Sequence, residues 1–311
     1  MKMRLFITSF IPIFVATACT LVLDVGMEQT PSAQPVTITP SLTFTASPSP
    51  TPPTPTFTPS PTPLPGSVVI PISSMSSTIP WLDETKRPTV FVTTFNISLP
   101  PFDNPLVRQA FAASIDKEVI VQMAKDMYAV NPFPATTVIP PQTLGRDLYG
   151  QVGIKFDPVH ARDLLTQAGY TDPSSFPTVT FIVHSYGDIA PGARYNMATK
   201  MAEMWKIHLG VTVEVQALTR ESFRNRIYDN PPELIWFGWT VNPGNDPDFI
   251  RPIYRTDGEF NQGHFSSPDF DTLVTQAYSS SDPVARQVLY IEAERILCET
   301  EAGVIPLYFA Y

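Results

Sequence analysis

Cysteine is almost absent. The 311 residues hold two, Cys19 and Cys298, far apart in the chain. Histidine is nearly as scarce, and His160, His184, His208 and His264 show no metal-ligand spacing. The sequence also lacks H-E-x-x-H, G-x-S-x-G, the P-loop and G-x-G-x-x-G. Cys298 has no histidine beside it in sequence. The chain therefore reads as a non-enzyme without a cofactor or a metal. Basic charge is in deficit, with 20 Lys and Arg against 29 Asp and Glu and a net charge of −9. That balance excludes a nucleic-acid partner, because binding a phosphate backbone needs basic patches.

Charge of either sign is missing from Gln29 to Leu82. Within that run, residues 31–66 are mostly Pro, Thr and Ser, as in "SPSPTPPTPTFTPSPTPLPG". Proline fixes an extended chain and nothing there can bury a core, so residues 20–66 read as a disordered spacer. Stretched out, it would reach roughly 100 Å. Its Ser and Thr are candidate O-glycosylation sites.

The segment before the spacer begins with Lys2 and Arg4, continues as "LFITSFIPIFVA" and reaches small residues at "ATAC". A positive start, an apolar middle and a small-residue end form an export signal. Ala16-Thr17-Ala18-Cys19 resembles a bacterial lipobox, with residues 1–19 as a lipoprotein signal peptide and Cys19 as the lipidated residue. The alternative is an uncleaved transmembrane anchor, since Leu5 to Leu23 is about long enough to span a bilayer. Either reading places the remainder at the membrane on its extracytoplasmic face. Cys298 lies in an apolar helical pattern and reads as a small buried hydrophobe.

The folded part is 67–311, about 245 residues. Helices are announced by a capping residue followed by proline in "DNPLVRQAFAASI", "DPVHARDLLTQAGY", "SPDFDTLVTQAYSS" and "DPVARQVLYIEAERILCETEA". A further helix restarts at Asp116 in "DKEVIVQMAKDMY". Between 178 and 239 the pattern alternates: strand "TVTFIVH", helix "ARYNMATKMAEMWKIHLG", strand "VTVEVQAL", helix "TRESFRNRIYD", strand "ELIWFGW". Such alternation predicts an α/β layer structure. The last segment, "GVIPLYFAY", is an apolar strand running into the chain end, which suggests that the chain stops before a natural domain boundary.

One segment carries recognition chemistry. In "LIWFGWTVNPGNDPDF" a strand delivers Trp236, Phe237 and Trp239, then breaks into a loop with Asn242, Gly244, Asn245 and Asp246. Ligands of open α/β sheets bind beyond the carboxyl ends of strands, and aromatic walls with a few polar groups make small-molecule pockets. Strand alternation puts Phe237 and Trp239 on one face and Trp236 on the other. We assign Trp239, Asn242, Asn245 and Asp246 to a ligand, add Phe237, and leave Trp236 to the core.

These segments together resemble a known family. "FNISLPPFDNPLVRQAFAASIDKEVI" is similar to the stretch that opens the second lobe of family 5 extracellular solute-binding proteins, the oligopeptide- and dipeptide-binding proteins of ABC importers. The family's helix signature matches Arg108, Gln109, Ala110 and Phe111, then Ile115, Asp116 and Lys117. "FDPVHARDLLTQAGY", "HLGVTVEVQ", "FSSPDFDTLVTQA" and "DPVARQVLYIEAERIL…IPLY" follow in family order over about 90–311. The resemblance implies a periplasmic-binding-protein-like lobe of a type II clamshell, gripping a peptide or similar solute between lobes and docking on permease subunits. It also implies a Trp-x-x-Asp pattern that anchors the ligand's amino group. Here Asn242 stands at that aspartate, losing the ion pair, so oligosaccharides or metal chelates are ligands to weigh beside peptides. Most of the first lobe has no counterpart in this sequence. A fragment, half of a split receptor and a surface-tethered interaction or sensor module are the explanations to separate.

Overall fold

The structure is a computed structural model that describes residues 88–128, 131–141, 150–185, 192–241 and 247–310. The export signal, the spacer and Cys19 lie outside the described residues, as do Asn242, Asn245 and Asp246. Six strands form one mixed sheet: β1 (Thr89–Phe95), β2 (Phe133–Pro134), β3 (Val179–His184), β4 (Val213–Leu218), β5 (Leu234–Thr240) and β6 (Val304–Ala310), in the order β2-β6-β1-β5-β3-β4. β3 pairs in parallel with β4 and β5, while β1 pairs antiparallel with β5 and β6. The alternating region thus builds the parallel half of the sheet. β1 closes it at the centre, with Thr89 opposite both Thr240 and Ala310.

One face of the sheet carries α1 (Pro105–Ala113), α2 (Lys117–Tyr128), α3 (Pro158–Gln167) and α4 (Ala193–Leu209). Asn104 accepts the Leu106 N–H at 2.9 Å and Asp157 accepts the His160 N–H at 2.9 Å, each satisfying one donor that a helix start leaves orphaned. These helices bury Phe111, Ile120, Leu165, Met201 and Trp205 against Phe95, Phe181, Trp236 and Leu307 of the strands. The Trp205 indole N–H donates to the Phe111 carbonyl at 3.0 Å, tying α4 to α1 inside that core.

The other face is covered in two parts. α5 (Arg220–Asp229) lays Phe223 and Ile227 over Ile182 and Ile235. The short α6 (Arg251–Tyr254), α7 (Pro268–Ser279) and α8 (Pro283–Arg295) pack Tyr254, Phe270 and Tyr290 on Val90, Val92, Val304 and Phe309. The pattern "ERILCETEA" predicts one continuous helix. Instead α8 ends at Arg295 and a π-turn, Ile296–Thr300, follows. Cys298 is buried on that turn, yet more than a hydrophobe, because its thiol donates to the enclosed Glu294 carboxylate at 3.4 Å.

Candidate ligand-binding edge

Parallel pairing places the carboxyl ends of β3, β4 and β5 at one edge of the sheet. Antiparallel pairing brings the start of β1 and the end of β6 to the same edge, where the Thr89 and Thr240 hydroxyls meet at 2.8 Å. β5 delivers its aromatic rings there by strand alternation. Trp236 is buried, with its ring 6.4 Å from Phe181. Phe237 and Trp239 turn to the opposite face, half-buried, with ring centroids 5.5 Å apart. They extend a row from Phe223, 6.0 Å from Phe237, to Phe260, 6.3 Å from Trp239. Asn242, Asn245 and Asp246 follow β5 directly in the chain.

The other face of the same edge holds a cluster that no local motif announces. Gly238 is exposed on β5. A Cβ there would sit 2.9 Å from the Phe91 ring, so glycine allows the two strands their close approach. Phe91 stacks on Tyr308 at 4.6 Å, and the Arg194 guanidinium lies 5.7 Å above the Phe91 centroid, a cation–π distance. Burial pushes the Tyr308 hydroxyl up. His184 ends β3 on the face of Phe223, its ring 5.8 Å from the Phe223 ring. Its pKa is lowered by partial burial, and further by the positive charges of Arg194 and Arg220. The edge therefore combines aromatic surface with positive potential, which suits a solute carrying both an apolar part and an anionic group. Arg194, Phe91 and Tyr308 belong to two strands and a helix, and sequence spacing alone does not assemble them.

The described residues contain no group of three His, Cys, Asp or Glu able to hold a metal. No described helix is long and apolar enough to cross a membrane.

A mixed sheet with helices on both faces and its strand ends gathered on one exposed edge defines a periplasmic-binding-protein-like lobe. The dipeptide-binding protein of Pseudoalteromonas sp. SM9913, solved in complex with Met-Leu, superposes with a TM-score of 0.60 at 26% identity, over 72% of this chain and 45% of its own. The chain belongs to the bacterial extracellular solute-binding proteins, family 5, matching the family's middle region over residues 64–261. It is 25% identical over 213 residues to the periplasmic oligopeptide-binding protein OppA of Salmonella typhimurium, covering 67% of this chain and 37% of OppA. It is 26% identical over 221 residues to the glutathione-binding protein GsiB of Escherichia coli, covering 68% of this chain and 40% of GsiB. The chain thus spans about two fifths of the length of these curated relatives.

Proposed function

We propose that this chain is the lipid-anchored, extracytoplasmic substrate-binding component of a peptide-type ABC importer, contributing one lobe of the receptor. The observation that carries the reading is the strand-end edge, where Phe237 and Trp239 offer aromatic surface and Arg194 offers positive charge. In this reading a short peptide lies along the edge, its carboxylate towards Arg194 and one side chain against Trp239. Asn242, Asn245 and Asp246 complete its polar contacts, with Asp246 supplying the charge that Asn242 lacks. A ligand that touches a second lobe as well favours the closed state by its differential contacts, and the closed receptor docks on permease subunits. Cys19 carries the lipid, and residues 20–66 hold the folded part clear of the membrane. A single lobe makes only half of these contacts, so its affinity is weak.

The test is calorimetric titration of the purified full chain with di-, tri- and oligopeptides, glutathione among them, beside carboxyl-amidated versions. We expect saturable binding that falls at least tenfold on amidation and again in Arg194→Ala, the loss typical of one charge-assisted pair. Absence of binding across the panel would sink the receptor reading for this chain. Radiolabelled lipid incorporation that survives Cys19→Ala would sink the anchor.

A further inference from the structure

Residues 135–140 follow β2 as a strap. They are mostly buried, yet they belong to no strand or helix, so their backbone groups need partners elsewhere. The Ala135 N–H reaches the Leu307 carbonyl at 3.0 Å, and the Thr137 hydroxyl donates to the Ile139 carbonyl at 2.9 Å. Two ionisable side chains tie the strap to the helices. Glu294 of α8 accepts the Val138 and Ile139 N–H groups at 2.6 and 3.2 Å. Lys117 of α2 donates to the Ala135 carbonyl at 2.9 Å.

These two ties are held by charge in a place that disfavours charge. Glu294 is fully buried. The Cys298 thiol faces it from the π-turn at 3.4 Å and the Tyr254 hydroxyl from α6, while Lys117 acts on the same thiol from α2. Among the described residues neither Glu294 nor Lys117 joins an ion pair. An enclosed charge without an opposite partner is costly, so the closed strap favours a protonated Glu294 and a neutral Lys117. Opening the strap returns both groups to water and removes that cost.

The strap is also weakly anchored at its start. β2 pairs with β6 only at Phe133–Phe309 and Pro134–Tyr308, and proline gives no N–H to a ladder. We propose that Glu294 and Lys117 form a latch on residues 135–139 that is tight while Glu294 holds its proton and loosens where both side chains are charged, freeing the edge of β6 at Tyr308 and Phe309 when it opens. The sign follows from the two groups. In the closed strap Glu294 keeps its proton up to about pH 7, and Lys117 keeps its own up to about pH 8. Closure therefore weakens as pH rises from 4.5 to about 7 and is weakest between about 7 and 8. Under the receptor reading, opening also loosens the wall that Tyr308 gives the peptide edge. The latch itself does not rest on that reading.

The experiment is native-state hydrogen exchange of the full chain without any ligand, read by heteronuclear NMR from about pH 5 to about 7.5 with low urea added. It compares the Val138 and Ile139 amides with those of Phe181 and Ile182 in β3. We expect the strap amides to be protected at least tenfold less than the β3 amides. Their exchange should be nearly independent of urea, because a local opening exposes little surface. Their protection should fall at least tenfold across the pH range. Glu294→Gln should remove that fall and Lys117→Met should keep it. Strap amides that match β3 in protection and in urea dependence would show opening only by global unfolding and overturn the latch. Protection that does not change with pH would overturn it as well. Neither result would touch the receptor reading, which peptide titration tests. If Glu294→Gln fails to fold, the pH series on the wild type decides.

Discussion

The Arg108 side chain on α1 reaches across the core to Glu301, just beyond the π-turn. Its Nε donates to the Glu301 carbonyl at 2.7 Å and its Nη2 to the Glu301 carboxylate at 3.2 Å, while Nη1 donates to the Phe102 carbonyl at 2.7 Å. The next residue, Gln109, donates to the carbonyls of Glu299 and Thr300 at 3.2 and 2.8 Å. The Arg-Gln pair of the family signature therefore satisfies the carbonyls that the π-turn leaves without helical partners. Desolvation lowers the Arg108 pKa to about 10, against the opposing pull of Glu301 and Asp103. The signature is structural here: it fastens the first helix to the last.

Arg108→Met should destabilise the fold by about 3 kcal/mol or more, because it strands two buried carbonyls. Glu301→Gln should cost less than about 1 kcal/mol, since the Glu301 side chain is 40% exposed and its ion pair is screened. Urea unfolding of both variants measures the difference. Equal losses would show that the carboxylate, not the carbonyls, is the important partner.

The two tryptophans of β5 should separate stability from binding. Trp236→Ala should cost about 3–5 kcal/mol, as large-to-small changes in a core do. Trp236→Phe should stay within about 1.5 kcal/mol, because the indole N–H it removes has no partner. Trp239→Ala should leave the melt nearly intact and weaken any bound peptide about tenfold or more. Binding that survives Trp239→Ala unchanged would move the ligand away from this strand.

Gly238→Ala should perturb the edge from the opposite face. The added methyl would meet Phe91 Cε1 at 2.9 Å and push the ring off Tyr308. A loss of about 1–3 kcal/mol is expected from such overpacking, together with weaker peptide binding. A variant as stable and as tight-binding as the wild type would mean that the Phe91 stack is not part of the site.

Two buried groups should make stability lowest near neutral pH. Glu294 accepts the Val138 and Ile139 N–H groups at 2.6 and 3.2 Å, but burial outweighs these bonds and raises its pKa from 4.5 to about 7. The folded state keeps a proton there that the unfolded chain has lost, so stability falls as pH rises from 4.5 to about 7. Lys117 donates to the Ala135 carbonyl at 2.9 Å with its ammonium enclosed, and burial lowers its pKa from 10.5 to about 8. The folded state has then lost a proton that the unfolded chain retains, so stability rises from pH 8 to about 10.5. Glu294→Gln should flatten the acid limb alone, and Lys117→Met the basic limb alone, in chemical denaturation across pH. An acid limb that persists in Glu294→Gln would assign it to another group.

Local signals made most elements legible. The pairs Asn104-Pro105, Asp157-Pro158, Ser267-Pro268 and Asp282-Pro283 each open a helix where cap and proline place it. The run from β3 to β5 reads directly from its change of period. β1 escaped because "TVFVTTF" sits just after a spacer and is nearly all buried, with no polar face to mark its period. Its identity as the central strand rests on pairing with β5 and β6, more than a hundred residues away in sequence. The π-turn likewise owes its shape to Arg108 and Gln109, which its own residues do not announce.

For the site, the division is similar. β5 shows its aromatic residues in one short stretch, and strand alternation alone sorts Trp236 from Phe237 and Trp239. The sequence by itself therefore determined the helix starts, the alternating α/β core, the family and one wall of the edge, because capping, periodicity and motif spacing act over a few residues. Only the tertiary structure decided the strand order and the Phe91–Tyr308–Arg194 cluster. Those arrangements depend on burial and on pairing between distant segments, where each residue's neighbours are chosen by the packing of the whole sheet.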